Sequence, residues 1–244
     1  MVRRRGQGTS VFRANTFRRI ADARYPPLVG KEELIKGDIE DIVHESGRGT
    51  PLVLIRFQNG KRCYLPAPEG LGLHQTILHG ESAVAEIGNI LPLEKVPEGT
   101  MVCNIELAAG DGGKIAKSSG AYATVVAHTA RGTELKLPSG KGIYADGRCR
   151  ATIGVISSAG RIEKPFLTAG RNRAYKISRG KRWPVSKGQR MVAASHPHGG
   201  GRHKHAGKPT TVSRNTPPGR KVGMIAARQT GRASQRMRRR AESL

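Results

Sequence analysis

The chain has 244 residues, with 43 Lys and Arg against 18 Asp and Glu, a formal net charge of +25. Such a surplus repels itself unless a polyanion neutralises it, which points to nucleic acid or an anionic membrane surface. Aromatics at 4% and 32 glycines argue against a packed enzyme core along the whole length, and no apolar run approaches the roughly 18–20 residues that span a bilayer.

The charge is uneven. Residues 1–29 hold 7 basic and 1 acidic residue, 30–100 hold 7 and 11, 101–170 hold 9 and 5, and 171–244 hold 20 and 1. The basic start, MVRRRGQGTSVFRANTFRR, has no apolar stretch of the secretory kind. The ends are too poor in large apolar residues to offset their chain entropy, so 1–29 and 171–244 are expected to gain order only on a partner. Four segments follow: a basic N-terminal extension (1–29), two small β domains (30–85 and 86–170) and a basic Gly/Pro/His-rich C-terminal extension (171–244). Cys63, Cys103 and Cys149 are widely spaced and read as small buried hydrophobes in a reducing compartment, without a disulfide framework.

In chain order, Lys31–Ile35 reads as a helical turn and Gly37–His44 as a strand carrying Ile39 and Val43 among acids. In Leu52–Leu65, Val53, Ile55 and Phe57 alternate onto one face. Asn59-Gly60 then predicts a type I′ hairpin turn, with φ > 0 at both residues, and Lys61–Leu65 returns. A short strand at Gln75–Gly80 completes a series expected to close into a small barrel, its carboxylates facing solvent. A second series follows: a short strand after Ile87, Met101–Leu107, Ala121–Thr129, a hairpin of Thr133–Leu137 and Lys141–Ala145 around Pro138-Ser139-Gly140, and Ala151–Ser157. This spacing fits another five- or six-stranded barrel. The loop Ala108–Gly120 is open to two readings: an ordinary flexible connection, or a phosphate contact through backbone N–H groups with Lys114 and Lys117. Helix is scarce; Lys221–Ala241 has partial helical spacing with a narrow stripe of Met224, Ile225 and Ala226.

Several chemistries are missing their motifs. Gly140–Gly142 lacks the upstream glycine and the following Ser or Thr of a P-loop, Gly70 and Gly72 do not complete a dinucleotide fingerprint, and no GxSxG, HExxH or paired CxxC occurs. His196, His198, His203 and His205 are close enough in sequence to bind zinc. Intervening glycines and the lack of a nearby cysteine favour stacking on bases and hydrogen bonds to phosphates or 2′-hydroxyls instead. Gly199, Gly200 and Gly201 would let the main chain approach a nucleic-acid backbone closely. Trp183, in Lys-Arg-Trp-Pro, packs either on the second barrel's edge or on RNA. The C-terminal extension does not repeat, which favours one defined path against a partner over a generic solvated tail.

Trp183–Arg232, with HPHGGG, GKPTTVSR and PPGRKVG, resembles the universal large-subunit ribosomal protein number two family in its archaeal form. RGQGTSVFRANT (Arg5–Thr16), GNILPLEKVPEGTMVCNIEL (Gly88–Leu107), SSGAYATVVAH (Ser118–His128), ELKLPSGK (Glu134–Lys141) and GRIEKPFLTAGR (Gly160–Arg171) are similar to the same family. The resemblance implies a mainly β protein, an OB-like barrel followed by an SH3-like barrel with long basic non-globular extensions buried in large-subunit rRNA. It also implies a cytoplasmic, ribosomal location and support of subunit association, tRNA placement and the peptidyl transferase region. Implied partners are rRNA of the 23S type, other large-subunit proteins and the small subunit through an intersubunit bridge, with no membrane and no small-molecule substrate. No cofactor is implied beyond Mg2+ that accompanies rRNA. Where the family carries Met-Asn-Pro-x-Asp/Glu before the double His, this chain has Val192-Ala193-Ala194-Ser195, so a mechanism in which that carboxylate orients His196 lacks its partner.

The candidate RNA contacts are Arg3, Arg4, Arg5, Arg13, Arg18 and Arg19 near the start, and Lys114 and Lys117 in the loop. In the C-terminal extension they are Arg171, Arg173, Lys176, Arg179, Lys181, Arg182, Trp183, Lys187, Arg190, His196, His198, Gly199, Gly200, Gly201, Arg202, His203, His205, Lys208, Arg214, Arg220, Lys221, Arg228 and Arg232. No catalytic residue and no metal ligand is assigned. The leading function is a structural rRNA-binding component of the large ribosomal subunit. The alternatives are an OB-fold RNA chaperone or single-strand binder, and His196 as general base in peptide-bond formation. For His196, nearby phosphates are expected to favour the imidazolium, which cannot accept a proton.

Overall fold

A computed structural model describes residues 19–27 and 34–227 of the chain. Among these, strands dominate and no helix is long and apolar enough to cross a membrane. The described residues fall into two units, one ending at Asn172 and one beginning at Arg173.

The first unit is built on one ten-stranded sheet. Its strands are β1 (Ile35–Val43), β2 (Leu52–Phe57), β3 (Arg62–Pro66), β4 (Thr76–His79), β5 (Ile90–Pro92), β6 (Met101–Cys103), β7 (Ala123–Thr129), β8 (Gly132–Lys136), β9 (Gly142–Ala145) and β10 (Arg150–Ile153). The order is β3-β2-β1-β4-β5-β10-β6-β7-β8-β9. β4 and β5 meet in parallel at His79 and Ile90, and the other neighbours run antiparallel.

Alternation in β2 buries Val53, Ile55 and Phe57 together, as its pattern dictates. Gly37 of β1 sits opposite Phe57, and a Cβ there would lie 2.7 Å from Ile55 Cγ2 and 2.8 Å from Phe57 Cδ1. The hairpin after β2 forms where expected, with a different turn. Gly60 has φ of +75° while Asn59 has no positive φ. Gly60 N–H donates to Phe57 O at 2.9 Å and Phe57 N–H to Lys61 O at 2.9 Å. This is a type I turn closed by a glycine bulge in place of the type I′ turn, and it needs φ > 0 at one residue only. The β8–β9 hairpin repeats it through Gly140, φ +78°.

Two hydrophobic cores lie along the sheet. Ile39, Val53, Ile55, Phe57, Leu65 and Ile77 form the first, joined by Tyr25 and Ile90. Leu91, Leu93, Val102, Ile105, Val125, Leu135, Ala151 and Ile153 form the second, joined by Ala83. Ala83 thus packs in the second core and Ile90 in the first. Cys103 and Cys149 are buried and Cys63 is half-buried, all with free thiols; burial pushes their pKa values up to about 12, 11 and 12 respectively.

The expectation that residues 1–29 form an extension without the fold fails for 19–27. Ala23 and Tyr25 are buried, and Ala23 bridges Tyr64. Three cations hold this segment by its carbonyls: Arg48 donates to Ala21 O (3.1 Å), Lys117 Nζ to Ala23 O (2.5 Å) and Arg150 to Pro26 O (2.7 Å). Two apolar side chains two residues apart were too weak a pattern to separate this strap from the basic stretch before it.

Other expectations are also corrected. Ile35 starts β1 and is not part of a helical turn, while residues 31–33 lie outside the described ones. Met224–Ile225 is strand β12, paired in parallel with β11 (Thr211–Val212). Lys221–Ala227 is therefore not helical, and the remainder of Lys221–Ala241, with its partial helical spacing, lies outside the described residues. Among the described residues the α-helix is α1, Ala169–Ser178, which has no buried residue; without an apolar stripe it left no helical period in the sequence. Glu45 contradicts the solvated placement of the first domain's carboxylates: it is fully buried beside Arg48.

Candidate nucleic-acid interface

From Arg173 to Ala227 the sequence holds 13 Lys and Arg and no Asp or Glu, and none of these residues is buried. A cation here cannot be neutralised by a carboxylate of its own stretch, so its counter-charge must come from elsewhere.

The cations are displayed on short, defined elements. Along α1, Arg171 and Arg173 are exposed and Lys176 is half-buried. Arg179 lies over the ring of Tyr175, 3.8 Å from its centroid, a cation–π contact. Lys181, Arg182, Lys187 and Arg190 are exposed, while Trp183 is half-buried. Arg202, His203, His205, Lys208, Arg214 and Arg220 are exposed and Lys221 is half-buried. Arg19 is exposed as well, its Cγ against Gly47. Arg3, Arg4, Arg5, Arg13, Arg18, Arg228 and Arg232 lie outside the described residues.

The HPHGGG segment is a folded turn. Gly199 N–H donates to His196 O at 2.9 Å and Gly200 N–H to Met191 O at 3.0 Å. A Cβ on Gly199 would stand 2.5 Å from Val192 O and 2.6 Å from Met191 O. The bare Cα of Gly199 is thus required by the chain's own backbone, whereas the sequence suggested it served approach to RNA. Gly200 and Gly201 both have φ of +82°. Gly223, which follows the PPGRKV turn, brings its Cα against Thr210 O at the β11–β12 pair and lies beside His198.

His196 is half-buried. The main-chain N–H of His198 donates to His196 Nδ1 at 3.0 Å. Nδ1 therefore carries the lone pair, and the neutral ring holds its proton on Nε2. The pKa of His196 is lowered by burial and by His198. In the free chain this is opposite to the imidazolium expected from phosphate neighbours. The obstacle to base catalysis is instead that the basic nitrogen already accepts a hydrogen bond. Gly188, which sequence reasoning missed, makes room for the ring: a Cβ there would lie 2.2 Å from His196 Cε1. Its φ is not positive, so only the long-range contact reveals it. Among the described residues no group of three or more His, Cys, Asp or Glu is placed to hold a metal ion.

The loop Ala108–Gly120 is a built structure. Glu106 Oε1 accepts from Gly112 N–H (2.9 Å) and Asp111 accepts from Leu107, Ala108 and Gly113 N–H. Lys114 is exposed and paired with Asp111 at 3.3 Å. Lys117 donates to Ala23 O and, at 2.9 Å, to Gly113 O, so its ammonium is engaged inside the fold. Burial and nearby Arg48 and Arg24 lower its pKa to about 8.

Behind the loop, Glu106 and Arg150 form a buried ion pair (2.6 Å), with a second bond from Arg150 Nε at 3.1 Å. Although burial disfavours the charged form, bonds from Arg150 and Gly112 hold the Glu106 carboxyl below its usual range. Arg150 also stands over the Tyr25 ring, whose hydroxyl lies 2.6 Å from Thr152 Oγ1. His79 Nε2 lies 3.4 Å from Arg150 Nη1, and its buried Nδ1 has no hydrogen-bond partner. Burial, then Arg150, lowers its pKa to about 4.

A β-sheet unit and a cationic stretch, Arg173 to Ala227, that has no carboxylate of its own give the chain the chemistry of a polyanion-binding protein. The family described as Ribosomal Proteins L2, C-terminal domain, matches residues 86–221. The large ribosomal subunit protein uL2 of Korarchaeum cryptofilum is 51% identical over 97% of this chain and 96% of its own length. The uL2 proteins of Methanocella arvoryzae and Haloarcula marismortui are 47% and 45% identical over 95% and 94% of this chain, and 97% and 95% of their own. The chain belongs to the uL2 family of large-ribosomal-subunit proteins.

Proposed function

We propose that this chain is a structural constituent of the large ribosomal subunit in the cytoplasm, binding large-subunit rRNA through residues 171–227 and Arg19. The carrying observation is the run from Arg173 to Ala227 with 13 cations and no carboxylate. Arg and Lys neutralise phosphates and release counterions. The turn around His196 and the β11–β12 pair fix the local backbone on which these cations stand, and the two cores are read as OB-like and SH3-like barrels. Subunit association through an intersubunit bridge, tRNA placement and support of the peptidyl transferase region follow from placement in that RNA. The role is architectural, not enzymatic.

The test is stoichiometric co-sedimentation with purified large subunits through high salt, with RNA crosslinks mapped by residue. One copy per subunit with crosslinks concentrated in 171–227 is expected; a salt-labile, substoichiometric association would favour an RNA chaperone. Assembled His196→Ala subunits are expected to keep peptide transfer within about tenfold, against the 10²–10⁴ typical of a lost general base.

A further inference from the structure

Beside the His196 turn lies an open hollow of about 370 Å³, within the range of about 300–1,000 Å³ usual for small-ligand sites. Val185, Met191 and Val192 give it apolar walls, Arg182 and Arg190 bring guanidiniums, and Ser195 adds a hydroxyl. The hollow is fastened to its surroundings: Arg190 N–H donates to Lys187 O, Met191 N–H to Gly188 O, and Met191 O accepts from Gly200. Val185 and Val192 remain 56% and 66% exposed, apolar surface that gains by being covered.

Three requirements fall on the occupant. It must bring negative charge to Arg190, because none of the residues lining the hollow is acidic. It must bring an apolar face for Val185, Met191 and Val192. It must be larger than a bare phosphate, which would leave those walls wet. Resting on the rRNA-binding reading above, we infer that this hollow receives one unstacked nucleotide of an RNA chain, its base against Val185, Met191 and Val192 and its phosphate at Arg190. Ser195 is placed to bond the base edge or a 2′-hydroxyl, in the way proteins read splayed-out RNA bases.

The test compares binding of the full chain and its variants to large-subunit rRNA across a salt series. Val192→Trp fills the hollow and keeps every cation, so it should weaken binding roughly tenfold, the worth of one covered apolar face, with the salt slope unchanged. Val185→Trp, on the other wall, should do the same while far-UV circular dichroism stays that of the parent. Arg190→Ala should lower the slope of log K against log salt by about 0.7–0.9, one phosphate. With 4-thiouridine-substituted rRNA, crosslinks should fall within residues 185–192 and vanish in Val192→Trp. If the parent chain binds rRNA and both tryptophan variants bind equally well, the hollow is not a nucleotide site. A crosslink from the hollow to another protein in purified subunits would overturn the inference in favour of a peptide occupant. Failure of the parent chain to bind rRNA would overturn the functional reading along with it.

Discussion

Residues 34–172 and residues 173–227 hold their conformation by different means. The first stretch buries Ile39, Ile55, Phe57, Ile77, Leu91, Ile105 and Leu135, each contributing roughly 1.5–3 kcal/mol, and pairs Arg150 and Arg48 with the buried carboxylates of Glu106 and Glu45. The second buries no side chain and is shaped by main-chain hydrogen bonds, glycines placed against carbonyls and ring contacts. Charge is an internal fastener in the first region and is presented outward in the second. A variant in one should therefore be felt in folding, and in the other in binding.

The largest effect is expected at Arg150. Arg150→Met leaves the Glu106 carboxylate buried without its guanidinium, which costs about 3–5 kcal/mol and should appear as a lower urea midpoint for the full chain. Arg148→Met, which loses a solvent-exposed pair, should leave the midpoint in place. Equal midpoints for parent and Arg150→Met would refute an internal role for this charge.

Acid should attack the same region. His79 takes up its proton near pH 4 when folded and near 6.5 when unfolded. Between those values the unfolded state holds more protons, so stability rises with pH, complete above about 6.5 and lost on descent to about 4. The loss from this group is on the order of 3 kcal/mol. Glu106, with its pKa lowered, adds a further loss as pH falls through its folded value. His79→Gln should flatten the window between pH 6.5 and 4 in denaturation series; an unchanged slope would remove His79 from the account.

Two glycines sharpen the contrast. Neither needs a positive φ, so an added methyl acts through space alone. Gly37→Ala pushes on Ile55 and Phe57 and should cost about 1–3 kcal/mol of folding stability. Gly188→Ala should leave the unfolding midpoint unchanged, shift the His196 imidazole resonances in NMR and weaken rRNA binding. A folding defect in Gly188→Ala would erase the distinction between the regions.

The smallest effects are single cations. Arg214→Ala and Arg220→Ala should each lower the salt slope of rRNA binding by about 0.7–0.9. Arg62→Ala, whose guanidinium faces Glu40 at 3.0 Å, should leave the slope unaltered.

The sequence by itself determined the β class, most strand positions, both hairpins and the basic extension. Alternation, turn glycines and charge density are local signals, readable within about ten residues. Only the tertiary structure decided the rest. Tyr25, His79, Glu106, Arg150 and Thr152 come from separate stretches, and their network exists only where β4, β10 and the strap at 19–27 converge. Lys117 looked like a phosphate contact until the carbonyls of Ala23 and Gly113 were placed around its ammonium. The place of Gly188 under His196 and the hollow beside Ser195 depend on how the 3-10 turn Gly188–Arg190 meets the HPHGGG turn. A side chain's type says which interactions it can make; its burial and partners are fixed by segments distant in sequence, which no local pattern records.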